Sequence, residues 1–219
     1  MGLLAMTDDA AYEKNIKKQY ETLGRFVEAF ELMVAVVRGI CIDLLHQDGR
    51  DGDHDYLLPI AFHHQVMTAK PLFEIMRATI ADKLKNAHHR WHADRDFYRE
   101  VLTFVQNDYN DLVNKRNNLL HATWIIGGRS GRDPDASRFY LSKYTTTEHG
   151  LEMLDLPKTA AELEMLTEKC DQTRIWLENI GASMDSIRTK VKITDLFKRD
   201  ESGWHLVDDR AGNISFRRK

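Results

Sequence analysis

Asn107, Asn110, Asn114, Asn117 and His121 recur at steps of three and four residues, a spacing that lines five polar side chains along one face of a helix. Asparagine is an expensive choice there. Its short amide competes with the backbone for hydrogen bonds and weakens a helix by roughly a few tenths of a kcal/mol per residue. A merely solvated face favours Glu, Lys, Gln or Arg, so something other than helix stability selects the stripe. His121 ends it with an imidazole that gives or takes a proton near neutrality. Arg116 adds a planar fork of N–H donors suited to carboxylate or phosphate oxygens. The two stand about 140° apart around the axis at about 100° per residue, so helix geometry alone does not join them. A second copy of the surface, related by a two-fold axis, would set two arginines and two histidines in one cleft. The same residues admit a structural reading: Arg116 pairs with Asp111 or with an acid on a facing helix, and His121 is a satisfied histidine near a helix end.

Other candidate chemistry is weaker. His88 and His92 form an i,i+4 pair, with His89 between them and His63-His64 upstream, yet no Cys or carboxylate at ligand spacing completes a zinc set. The Asp51, Asp53, Asp55 run has Tyr56 where a calcium loop needs Gly and Phe62 where it needs Glu. Walker loops, dinucleotide fingerprints and serine-nucleophile elbows do not occur. The sequence therefore predicts no metal and no cofactor.

Four helical segments must carry these residues. Ile16, Tyr20, Leu23, Val27, Phe30, Val34, Val37, Cys41 and Leu44 predict a long helix from about Asp9 to His46, ended by the Asp/Gly-rich stretch 47–55. Leu57 to Met67 reads as a short helical piece. A second long segment opens at Thr68, with Pro71 in its first turn and an apolar face of Leu72, Ile75, Met76, Thr79, Ile80 and Leu84. The third, about Asp94 to Thr123, carries the Asn stripe and turns Val101, Val105, Leu112 and Leu119 toward the core. Ile125 to Gly128, Arg138 to Tyr144 and Leu151 to Leu154 read as strands of a small hairpin insertion. A fourth helix opens with the capping box Thr159/Glu162 and runs its apolar rhythm through Leu163, Leu166, Cys170, Leu177, Ile180, Met184, Ile187 and Val191. The tail from Asp195, with Trp204, Leu206, Val207, Ile214 and Phe216 around the Asp208-Asp209-Arg210-Ala211-Gly212 turn and ending in the basic Arg217-Arg218-Lys219, reads as a terminal hairpin.

The expected fold is thus mainly all-α: an antiparallel up-and-down bundle of four to five helices over 1–194, with a β-hairpin insertion at about 125–156 and a short appendage at 195–219.

The string Val113-Asn114-Lys115-Arg116-Asn117-Asn118-Leu119-Leu120-His121-Ala122-Thr123-Trp124 resembles the signature helix of the HEPN superfamily, the higher eukaryote and prokaryote nucleotide-binding fold. Its members are helical bundles with an Arg, a polar residue directly after it, and a His four to six residues beyond the Arg. Arg116, Asn117 and His121 fill those places. The apolar pair Leu119-Leu120 and Trp124 extend the likeness. The resemblance implies a metal-independent endoribonuclease working at a homodimer interface, many such enzymes belonging to toxin or antiphage defence systems, some with an antitoxin or other regulatory partner. It implies His121 as acid or base, Arg116 on the phosphate, and Asn117 orienting one of them. Asn110, Asn114 and Lys115 are then candidate substrate contacts. The products implied are a 2′,3′-cyclic phosphate and a 5′-hydroxyl. Ala122 stands where Gly is common, and Thr123 where antitoxin-regulated toxins carry Tyr, so modification of that tyrosine is not implied. The rival expectation is a non-catalytic bundle that binds a nucleotide, RNA or protein partner.

Bulk composition constrains the partners. The 219 residues are 42% hydrophobic and 30% charged with net charge −3, which fits a globular chain and gives no global basic excess for RNA. Contact with RNA therefore depends on a local patch. Cys41 and Cys170 sit at apolar helix positions and read as buried thiols. The apolar start is too short for a signal segment, and no apolar run reaches membrane-span length, so a cytoplasmic protein without a membrane partner is expected.

Overall fold

The computed structural model describes residues 4–46, 68–85, 94–125, 140–147, 150–153, 156–157, 159–184, 191–201 and 203–207. Among them, five helices and three two-stranded ladders occur: α1 (Leu4–His46), α2 (Ala69–Lys85), α3 (Arg95–Leu120), β1 (Thr123–Ile125), β2 (Tyr140–Ser142), β3 (Tyr144–Thr147), β4 (Gly150–Met153), α4 (Ala160–Met184), α5 (Ile193–Leu196), β5 (Phe197–Asp200) and β6 (Gly203–Leu206). The fold is mainly helical with small antiparallel hairpins, as the periodicity predicts. No helix among the described residues is long and apolar enough to cross a membrane. The chain forms two compact units, Met1–Glu31 with Leu112–Cys170, and Leu32–Asp111 with Asp171–Lys219.

The second unit is a closed ring of helix contacts. Cys41 Sγ lies 3.8 Å from the Leu72 carbonyl oxygen, joining α1 to α2. Phe73 meets Tyr109 at 4.7 Å between ring centroids, and the Tyr109 hydroxyl donates to the Ala69 carbonyl at 3.1 Å, joining α2 to α3. From α3 to α4, the Tyr98 hydroxyl donates a hydrogen bond to Ser183 Oγ at 2.9 Å, and the Ser183 hydroxyl donates in turn to the Ile180 carbonyl at 2.7 Å. Every hydroxyl in that buried chain is satisfied. Gly181 of α4 closes the ring against Ile40 of α1. Burial pushes the Cys41 thiol up to about 12, so it is an inert core group across the physiological range.

Close packing gives the glycines opposite roles. A Cβ at Gly181 would stand 2.9 Å from Ile40 Cγ1, whereas one at Gly24 meets nothing within 4 Å. Gly24→Ala is expected to stabilise the protein by roughly 0.5–1 kcal/mol, the usual gain for removing a glycine from a helix interior. Gly181→Ala has the same helical gain but must displace a buried isoleucine, so thermal unfolding should show no increase in Tm or a decrease.

The first unit contains the start of α1, the end of α3, β1 to β4 and the start of α4. Its α4 opens with the expected capping box: Thr159 N donates to Glu162 Oε2 at 3.0 Å and Glu162 N donates to Thr159 Oγ1 at 3.2 Å. Thr159→Ala should cost about 1 kcal/mol, measurable by denaturant unfolding as a lowered midpoint with unchanged slope.

Several boundaries differ from expectation. Helix α1 begins at Leu4 rather than near Asp9, in a stretch containing the strong helix formers Ala5, Met6, Ala10 and Ala11. Its buried face before Phe30 is also turned by about one residue. Gln19, Thr22, Phe26 and Ala29 lie inside while Tyr20 is 57% exposed and Ile16, Leu23 and Val27 are half-buried. Two buried polar residues conceal that face from a hydropathy pattern; Thr22 is satisfied by donating to the Lys18 carbonyl at 2.8 Å. Helix α3 stops at Leu120, and β-branched Thr123 joins a strand instead. The stretch 138–144 is not one strand: it breaks at Lys143, with Leu141 paired to Trp124 before the break and Tyr144 to Met153 after it. Helix α4 ends its described course at Met184, and Val191 lies outside any helix. A hairpin not expected from the sequence turns between Asp200 and Gly203, within the tail; the expected turn at 208–212 lies outside the described residues. Gly203 has φ +119°, a conformation open to glycine at little cost and strained for other residues. Leu57–Met67, Ile187 and residues 208–219 lie outside the described residues.

Candidate functional site

The last turn of α3 places the motif. Leu119 is fully buried and anchors the helix, leaving Asn114 exposed and Lys115, Arg116, Asn117 and Asn118 half-buried around it. His121 N donates to the Asn117 carbonyl at 3.1 Å and Ala122 N to the Leu119 carbonyl at 3.2 Å, so the helix tightens as it ends. His121 occupies the turn between α3 and β1 with an exposed side chain.

Arg116 is more constrained. Its Nη2 lies 2.9 Å from Glu31 Oε1 of α1, its Nη1 donates to Asn117 Oδ1 at 3.3 Å, and its Cζ stands 5.4 Å from the centroid of the Phe30 ring. Phe30 and Glu31 thus hold the guanidinium by its face and its edge. The acid on a facing helix, named as a class from the sequence, is Glu31. The Arg116 side chain is 28% exposed and Glu31 48%, which limits the ion pair to about 0–1 kcal/mol after solvent screening. Arg116 Nε is sealed from solvent with no hydrogen-bond partner among the described residues.

The arrangement brings some of the expected site residues together. Asn117 touches Arg116 directly. Asn114, Lys115, Arg116, Asn117 and His121 all belong to the first unit, whereas Asn107 and Asn110 belong to the second. Arg116 reaches α1 and Asn117, and His121 is not among its contacts. Two polar contacts escaped the sequence reading. Glu31 carries no periodic signal that ties it to Arg116, and Asn118 accepts from Lys143 Nζ at 2.9 Å, pinning the break between β2 and β3 to the motif helix. The basic residue at that break is the one local sign of the second.

Comparison with known proteins adds no relative. No family model, curated protein or solved structure matches the chain.

Groups of three or more His, Cys, Asp or Glu able to hold a metal do not occur among the described residues. His63, His64, His88, His89 and His92 lie outside them. The described site therefore offers an exposed proton carrier, a guanidinium fork with an amide beside it, and a neighbouring carboxylate that competes with any anion for that fork.

Proposed function

We propose that the chain is a HEPN-type endoribonuclease that cleaves RNA without a metal, acting as a cytoplasmic homodimer in a toxin or antiphage defence role. The observation that supports this reading is the exposed His121 at the end of the helix that also carries Arg116 and Asn117, the order of residues in the HEPN motif.

In the proposed reaction the ribose 2′-oxygen attacks the adjacent phosphorus as His121 removes the 2′ proton. The P–O5′ bond breaks, and the departing 5′-oxygen takes a proton from His121 of the partner subunit. A 2′,3′-cyclic phosphate and a 5′-hydroxyl result, with no change in oxidation state. Arg116 stabilises the charge that builds on the non-bridging oxygens, and Asn117 holds the fork in place. Asn114 and Lys115 lie on the same helix end as further phosphate contacts. For Arg116 to act this way, the phosphate must displace Glu31, an exchange that a pair worth about 1 kcal/mol or less permits.

The Glu31 contact also favours a second reading. A guanidinium held by a carboxylate, an amide and an aromatic ring serves a structural joint equally well, and the bundle would then bind a partner without cleaving it. Incubating labelled RNA with the full chain in EDTA, beside Arg116→Ala and His121→Ala proteins that remain folded with wild-type oligomeric state, separates the two. Cleavage by wild type alone supports the nuclease; equal or absent cleavage in all three preparations favours the binding bundle.

A further inference from the structure

In the second unit, α2 and α3 flank a half-open cavity of about 320 Å³. Ala78, Ala81, Leu84 and Leu102 give it an apolar surface. Among the described lining residues stand four cations, Arg77, Lys85, Arg95 and Arg99, and the carboxylate of Glu74. The whole chain carries net charge −3, so this concentration of positive charge is local.

The four cations are not equivalent. Arg77 is engaged by Glu74 at 3.4 Å and by Gln106 at 3.2 Å, and Arg99 by Asp96 at 2.9 Å. Lys85 and Arg95 are exposed and have no ion-pair partner among the described residues. One lies at the end of α2 and the other at the start of α3, so each segment brings to the same concavity a positive charge that no described residue pairs. An ammonium and a guanidinium together suit a dianionic phosphate better than a singly charged carboxylate. The alanines and leucines suit a compact apolar body, and the volume lies at the small end of ligand sites, roughly 300–1,000 Å³. An extended phosphodiester strand would meet the cations yet leave the apolar surface uncovered.

We infer that this cavity binds a small organic phosphate monoester, with its apolar body over Ala78, Ala81, Leu84 and Leu102 and its phosphate between Lys85 and Arg95. The inference is independent of the ribonuclease reading, because it uses none of the motif residues.

Calorimetric titration of the full chain with naphthyl phosphate tests it, using naphthol as the uncharged probe and inorganic phosphate as the charge-only probe. Naphthyl phosphate should bind at one site, with each control at least about tenfold weaker, a difference of about 1.4 kcal/mol. The exposed double variant Lys85→Glu/Arg95→Glu should lose at least about tenfold in affinity, and so should Ala81→Trp, which fills the cavity, while thermal unfolding confirms that both fold. Absence of binding by wild type, equal binding of either control, or unchanged affinity in both folded variants overturns the assignment.

Discussion

His121→Ala is expected to lower RNA cleavage by about 10²–10⁴-fold, the usual contribution of a positioned acid or base, while leaving thermal unfolding unaltered. The two halves of that expectation have one cause. An exposed imidazole contributes little to packing, so its loss should register almost wholly in chemistry. Arg116→Ala should lower the rate by about 10²–10³-fold, the range for a lost donor to developing charge, and should also disturb the contacts with Glu31 and Phe30. Glu31→Gln separates those effects. It removes the competing carboxylate charge and keeps the guanidinium, so cleavage should persist or rise under the ribonuclease reading. If Arg116 is only a joint to α1, Glu31→Gln and Arg116→Ala should both shift stability and leave cleavage unmoved.

Trp176→Ala carries the largest expected structural effect, a loss of about 3–5 kcal/mol by denaturant unfolding. The Trp176 ring stacks on Phe104 of α3 at 4.9 Å and meets Phe197 of β5 edge-on at 5.4 Å, so one side chain ties a helix and the terminal hairpin to α4. A second contact, Phe97 against Trp204 at 5.1 Å, supports the same hairpin from α3. Trp176→Phe should cost far less. Trp176 Nε1 is sealed with no hydrogen-bond partner among the described residues, and removing it relieves a desolvation penalty of about 1–3 kcal/mol that offsets part of the lost ring area. A Trp176→Phe cost as large as that of Trp176→Ala would contradict this account.

Much of the fold is legible where one physical rule dominates. Val101, Val105, Leu112 and Leu119 follow the helical repeat and are all buried, and the Thr159/Glu162 box marks its helix start because the two side chains satisfy local donors independently of the rest of the chain. The reading weakens where distant partners decide. Gln19 and Thr22 are buried despite their polarity, so the start of α1 turns a different face inward from the one hydropathy suggests. The β5–β6 hairpin packs through Phe197 against Trp176 and Trp204 against Phe97, contacts between residues far apart in sequence that leave no local pattern. At the motif, the likeness to HEPN proteins marks Arg116, Asn117 and His121, and periodicity places Asn117 and His121 on one stripe. Glu31 stays invisible to both, because an ion pair between residues 85 positions apart leaves no local pattern.

The central claim is that His121 and Arg116 direct a ribose hydroxyl onto its own phosphodiester. End-group analysis of labelled RNA incubated with the full chain in EDTA addresses it most directly. The account predicts 2′,3′-cyclic phosphate and 5′-hydroxyl ends that disappear with His121→Ala. Fragments bearing 3′-hydroxyl ends, or the same cyclic ends from the His121→Ala protein, would contradict it.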